Sequence, residues 1–267
     1  MTDQTPTTAA GLAAVTSSPV ASGRTHVSDG RSRRMMPLMR RVEIVHRSAA
    51  HPSDIVDTSR LVPAIAAFDD AFAAFARGTL FPTDRGMVAV EDLLPGDCVR
   101  TADDGFQPLV WRGATVLSSR ARGQDASMGR LTRIAADALG VGRPMPDLVL
   151  GPRARLAHRA PGIAKLTGAD TAFVPARDFV DGVAIVDLSP QGTVDVYHLG
   201  FARHHRLVAN GVEVESFHPG PVHALGLGTE MRALYLSCFP HVTRIDGFGA
   251  PLLPRLRLRD LDLFEVA

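Results

Sequence analysis

Hydrophobic positions along the chain fall into three regimes. Residues 1–23 are a Thr-, Ser-, Ala- and Pro-rich run, and no period emerges before residue 60, which predicts a disordered or loosely docked tail over 1–59. One stretch inside it, Arg40 to Val45 (RRVEIV), has the alternation of an edge strand. Val62, Ile65, Phe68, Phe72 and Phe75 then recur at steps of three and four, with Thr58 or Ser59 ahead of them as an N-cap. That spacing predicts an amphipathic helix over 60–77, docked on the downstream part of the chain, with Ala74 in its last turn.

From Thr79 onward the period shortens to two. Thr79–Phe81, Met87–Val90 and Cys98–Thr101 read as strands, separated by Asp84-Arg85-Gly86 and Pro95-Gly96-Asp97 and closed by Asp103-Asp104-Gly105. Each of those turns holds residues that accept positive φ or preset φ, so the stretch predicts an antiparallel meander. Further strands are expected at Leu109–Trp111, Ala114–Leu117, Arg130–Ile134, Asp147–Leu150, Ala154–His158, Ala172–Val174, Val183–Leu188, Val194–Leu199, Arg206–Ala209 and Val212–Glu215. Asn210-Gly211 between the last two is the strongest hairpin signal in the chain. Ser118–Gly129 reads as an exposed loop, and residues 221–267 as a C-terminal extension that packs back on the domain. Many short strands with Gly- and Pro-bearing turns make the fold class all-β.

The run from Phe75 to Gly105 also carries a motif. From Gly78 to Thr101 it reads G-T-(apolar)-x-x-T-x-x-G-x-(apolar)-x-V-E-D-L-x-x-G-D-x-V-x-T. With Asp147–Gly151 (DLVLG), Tyr197-His198-Leu199, His204, Ala209-Asn210-Gly211 and Glu215-Ser216-Phe217-His218-Pro219-Gly220 in order behind it, the chain resembles bacterial Hint domains, the hedgehog/intein self-processing family, over residues 74–220. The resemblance implies a Hint-type antiparallel β fold and chemistry on the protein's own backbone. In such domains a Cys or Ser at the first position attacks the preceding carbonyl, and a histidine in an L-S-P-x-H-R segment protonates the departing amide nitrogen. An unstrained amide is a poor electrophile, so both groups are needed.

Carried over residue by residue, the nucleophile position is Ala74, four residues before Gly78. Leu150-Gly151-Pro152-Arg153-Ala154-Arg155 matches the histidine segment and puts Ala154 at the histidine; Glu215-Ser216 stands where an intein ends in His-Asn. No catalytic residue is expected, while Thr79, Asp97 and His204 are retained motif residues. The favoured reading is a catalytically degenerate Hint domain acting as a binding or assembly module toward an unknown protein partner. The alternative is an active autoprotease with a relocated nucleophile, Thr79 or Ser59, served by His158 or His204.

Composition narrows the rest. A net charge of +1 draws the chain to neither nucleic acid nor membrane, and 45% hydrophobic with 21% charged residues is ordinary for a globular protein. Arg31, Arg33, Arg34, Arg40, Arg41 and Arg47 form a basic N-terminal stretch that reads as a solvated tail or, in a third reading, an arm for an anionic polymer. Neither a Sec signal pattern nor an apolar run of membrane-spanning length is present, which leaves the cytoplasm or non-classical export. Cys98 and Cys238 read as two thiols. His198, His204, His205, His218, His223 and His241 crowd the C-terminal third without metal-ligand spacing, so no metal and no cofactor are expected.

Overall fold

The computed structural model describes residues 38–262, except 49 and 52, all within the compact unit Pro37–Ala267. The hairpin β1 (Met39–Arg47) and β2 (Ile55–Pro63) leads into helix α1 (Ala66–Phe72) and the short strand β3 (Phe75–Ala76). The meander comes next as β4 (Leu80–Thr83), β5 (Gly86–Ala89), β6 (Cys98–Arg100) and β7 (Phe106–Pro108), then β8 (Trp111–Ser118), β9 (Leu131–Ile134), β10 (Leu148–Leu150) and β11 (Arg155–Arg159). Helix α2 (Pro161–Thr167) precedes β12 (Thr171–Pro175), β13 (Ile185–Leu188), β14 (Thr193–Gly200), β15 (Arg206–Ala209) and β16 (Val212–Glu215), and the chain closes with α3 (Thr229–Leu236) and α4 (Leu258–Asp262).

Three antiparallel sheets result: β13-β9-β10-β3-β14-β8-β1-β2, β12-β11-β16-β15 and β5-β4-β6-β7. The all-β class expected from the strand and turn spacing, and the Hint-type antiparallel fold that the resemblance implies, are the class observed. No helix among the described residues is long and apolar enough to cross a membrane.

The N-terminal expectations are corrected. Residues 39–47 and 55–63 are not tail but a hairpin in continuous register from Met39↔Pro63 to Arg47↔Ile55. β1 lies inside the sheet, between β2 and β8, rather than at its edge. The 60–77 helix is three elements. Val62 is the inward residue of a strand, Phe68 and Phe72 share one face of a seven-residue helix, and Phe75 begins β3. All four are buried but Ile65 is exposed, so the steps of three and four in the sequence do not mark one buried helix face. Of the basic stretch, Arg31, Arg33 and Arg34 lie outside the described residues, as does the expected tail over 1–37. Arg40 is buried, its Nε donating to Asp69 Oδ1 at 3.1 Å.

Two further corrections share a cause in close packing. The strands expected at Leu109–Trp111 and Ala114–Leu117 are one strand, β8, because Gly113 is there for room rather than for a turn: a Cβ on it would lie 2.2 Å from Trp111 Cη2. Met128, in the expected exposed loop, is buried with Leu117, Leu131 and Val196.

The interior is divided. One core gathers Phe75, Phe81, Leu150, Leu156, Leu199 and Val214 between the sheets. A second is aromatic, joining Val42, Ile44, Phe68, Phe72, Trp111 and Phe217 to Tyr235, Phe239 and Phe248 of the C-terminal segment. Phe217 and Phe239 stack at 4.8 Å, and Trp111 Nε1 donates to Cys238 O at 2.8 Å. The N-terminal hairpin and the C-terminal segment thus hold one another against β8.

Candidate functional site

The backbone around Ala74 is fully engaged. Helix α1 ends at Phe72, Ala73 turns out of the helix (φ −123°, ψ 48°), and Ala74 is the bend just before β3, which corrects its expected place in a last helical turn. Ala74 N–H donates to Tyr197 O at 3.1 Å, and Ala74 O accepts from Gly151 N–H at 2.7 Å. Ala73 O, the carbonyl a nucleophile at 74 would attack, accepts from Arg153 N–H at 3.0 Å. Ala73 and Ala74 are both 0% exposed, and Ala74 shares its core with Ala154. A Cβ on Gly151 would lie 2.4 Å from Ala73 O, so the Ser of the family segment does not fit here without moving that peptide. The structure therefore brings 74, 151 and 154 together, as methyls and backbone packed without solvent.

Beside these alanines runs a chain of charge. Arg155, the residue after Ala154, reaches Asp70 Oδ2 at 3.3 Å and Glu215 Oε2 at 3.1 Å. Glu215 Oε1 accepts from Arg255 Nε at 2.8 Å and lies 3.1 Å from His204 Nε2. Asp69 and Asp70 both sit in the middle of α1, and Arg153 approaches the pair at 3.8 and 3.4 Å. Burial by itself raises the Glu215 pKa, but the Arg155 and Arg255 guanidiniums and His204 outweigh it and hold the carboxyl below the usual range. The segments around 74, 154 and 215, where the resemblance puts the family's catalytic positions, are thus tied by ion pairs. Arg155 was legible as part of the L-S-P-x-H-R segment; Asp70 and Arg255 had no sequence signal, since their roles arise only from the packing of α1 and the C-terminus.

His204 accepts the Leu252 N–H on Nδ1 at 3.0 Å, so the neutral ring carries its proton on Nε2, toward Glu215. Its ring stacks on His218 at 4.8 Å, and His218 accepts Gly220 N–H on Nδ1 while Nε2 donates to Gly249 O. Burial, with His204 alongside, pushes His218 down to about 4. His198, entirely buried between Phe75 and Phe217, is pushed by burial to about 3. Among the described residues no three His, Cys, Asp or Glu side chains converge to hold a metal ion. Cys98 and Cys238 are free thiols.

The remaining expected residues are dispersed. Thr79 Oγ1 donates to Ala76 O at 2.8 Å and is buried. Ser59 lies exposed on β2 opposite Glu43, and His158 on β11 opposite Ala172, with its ring edge-on to Phe179 at 5.1 Å. Each is held in a separate setting, and none is placed against the Ala73 carbonyl. Asp97 Oδ2 accepts Leu94 N–H at 2.9 Å across a turn in which Gly96 has φ +106°, and Oδ1 meets Arg85. Asp97→Ala is expected to lower stability by about 1 kcal/mol, the value of one turn hydrogen bond. An unchanged denaturant midpoint would mean that Gly96 alone sets the turn.

Residues 73–221 match the family of Hint domains. No curated protein matches the chain. A search of solved structures returns a bacterial intein-like domain from Clostridium thermocellum, 12% identical, covering 55% of this chain and 100% of that one at a TM-score of 0.38. The matched span begins at Ala73, where α1 has just ended, and closes after β16, leaving the hairpin β1–β2 and the C-terminal helices as additions outside it. The chain belongs to the Hint domain family.

Proposed function

We propose that this Hint domain has lost self-cleavage and serves as a binding or assembly module. The observation that carries the reading is the Ala73–Ala74 peptide. It is fully buried, its carbonyl is hydrogen-bonded to Arg153 N–H, and Ala74 and Ala154, which the resemblance puts at the nucleophile and histidine positions, offer only methyl groups. Without a side-chain nucleophile no ester or thioester can form, and without a proton donor the amide nitrogen is a poor leaving group. The Asp70–Arg155–Glu215 chain supports the same reading, since its ion pairs tie the segments around 74, 154 and 215 to one another.

The test is incubation of the purified full chain, with and without dithiothreitol or hydroxylamine, followed by intact-mass spectrometry under denaturing conditions. Denaturation matters because β1 is paired along β8 and α1 is packed in the aromatic core, so a chain cut after Ala73 would stay assembled. The expected result is one mass, stable over days. A time-dependent fragment abolished by replacing Thr79 or Ser59 would overturn the reading in favour of an active autoprotease. Restoring Cys at 74 alone is expected to give at most a trace of thiol-dependent cleavage, since acid–base assistance is worth about 10²–10⁴-fold.

A further inference from the structure

Beyond α3 the chain turns back and lays an extended segment along β12. Phe173 N–H donates to Pro254 O at 2.8 Å, and Leu256 N–H donates to Phe173 O at 3.0 Å. The side chains alternate. Arg255 enters between Glu215, 2.8 Å from its Nε, and His218 O, 2.6 Å from Nη2. Two residues on, Arg257 makes a two-pronged contact with Asp178, Nε and Nη2 each donating at 2.7 Å. Leu256 between them packs with Leu258 and Leu261 on Ile163 and Ala172. Gly220 makes room for the first guanidinium, since a Cβ there would lie 2.9 Å from Arg255 Nη1.

This is strand addition to a sheet edge, with main-chain bonds for affinity and alternate side-chain sockets for selectivity. The sockets are acidic and fit the planar fork of arginine. We propose that the β12 edge is a peptide-docking groove, with residues 254–257 as its resident occupant and, in exchange, an extended segment of a partner protein that carries two arginines two residues apart. The proposal rests on the reading of this chain as a binding module and names the partner chemistry.

The groove is not left empty in such an exchange. Phe173 is fully buried, and its N–H and C=O are both spent on the resident segment, so departure without a replacement would orphan two backbone groups. The occupant must therefore reproduce main chain and arginines together. A second copy of the chain is disfavoured by the tether. Phe248 is anchored in the aromatic core, and the exposed link 249–252 spans at most roughly 14 Å, so a resident segment reaches little beyond its own groove.

The experiment uses the full chain carrying Arg257→Ala, which loosens the resident segment through a side chain that is 40% exposed, and a fluorescent peptide of residues 250–262 as probe. Anisotropy is expected to show the peptide binding the variant at least about 10-fold more tightly than the unmodified chain, where the tethered segment competes at an effective concentration on the order of millimolar. A peptide with both arginines replaced by alanine is expected to lose binding by about 30-fold or more, the worth of charge-assisted contacts. Far-UV circular dichroism confirms that the variant is folded. No binding to the folded variant up to millimolar peptide, or equal binding of the alanine peptide, overturns the groove. An unmodified chain that light scattering and cross-linking reveal as a segment-exchanged dimer overturns the partner assignment in favour of a second copy. Cleavage is read separately, by mass, so a failed peptide test leaves the degenerate-domain reading to stand or fall on its own result.

Discussion

Glu215→Gln is expected to destabilise the fold by about 3–5 kcal/mol, the usual consequence of removing one partner from a buried ion pair. The carboxylate is 2% exposed and lies between two guanidiniums, Arg155 at 3.1 Å and Arg255 at 2.8 Å, with His204 Nε2 at 3.1 Å. Glutamine keeps the volume and one acceptor but leaves two positive charges facing each other across a neutral amide, with only Asp70 still opposing Arg155. The pH dependence distinguishes this from a packing effect. Glu215 has a folded pKa below its free value of 4.5, so its stabilisation is present above pH 4.5 and lost as pH falls through the folded value. The gap between the two proteins should therefore narrow in acid. Guanidinium unfolding followed by circular dichroism checks both points. A loss below about 1 kcal/mol at pH 7 would mean that the arginines find other partners and that the clamp is incidental.

Acid should act on the chain well before its carboxylates titrate. His198, His218 and His241 are each held neutral chiefly by burial, at about 3, 4 and 4 against a free value of 6.5. Because the folded values lie below the free one, the unfolded chain takes up protons first. The stabilisation is complete above pH 6.5 and is withdrawn as pH falls from 6.5 toward 4. At about 1.4 kcal/mol for each pH unit of that interval, the three together remove on the order of 5 kcal/mol or more, comparable to the roughly 5–15 kcal/mol that holds a typical domain. A melting temperature that declines from about pH 6.5 and cooperative unfolding before pH 4 are the expected results. His241→Phe is the informative variant. Neither ring nitrogen of His241 has a hydrogen-bond partner among the described residues, and the ring sits among Trp111, Phe239 and Phe248, so phenylalanine should flatten the acid limb. A melting temperature flat between pH 7.5 and 5 would show that these imidazoles protonate within the fold.

What local chemistry dictates was legible in the sequence alone. The meander from Thr79 to Thr101 arises from turns whose residues accept only a few conformations, and the hairpin at Asn210-Gly211 takes the positive φ values, 47° and 87°, that those two residues favour. The Hint family itself was likewise legible, from the order and spacing of the motif segments that begin at Gly78. What the tertiary structure decided was everything set by partners far apart in the chain. The spacing from Val62 to Phe75 fits one helix, yet burial came from a strand, a helix and a second strand, because β1 offers β2 nine residues of backbone pairing. The break expected between Trp111 and Ala114 is absent, because Gly113 leaves the space that the Trp111 ring occupies. Glu215 looked like an intein terminus gone astray. Only the return of Arg255 from 40 residues downstream, and of Asp70 from α1 by way of Arg155, makes it the centre of a clamp. Turns are local and therefore readable, whereas a buried charge has meaning only through the opposite charges that folding brings to it.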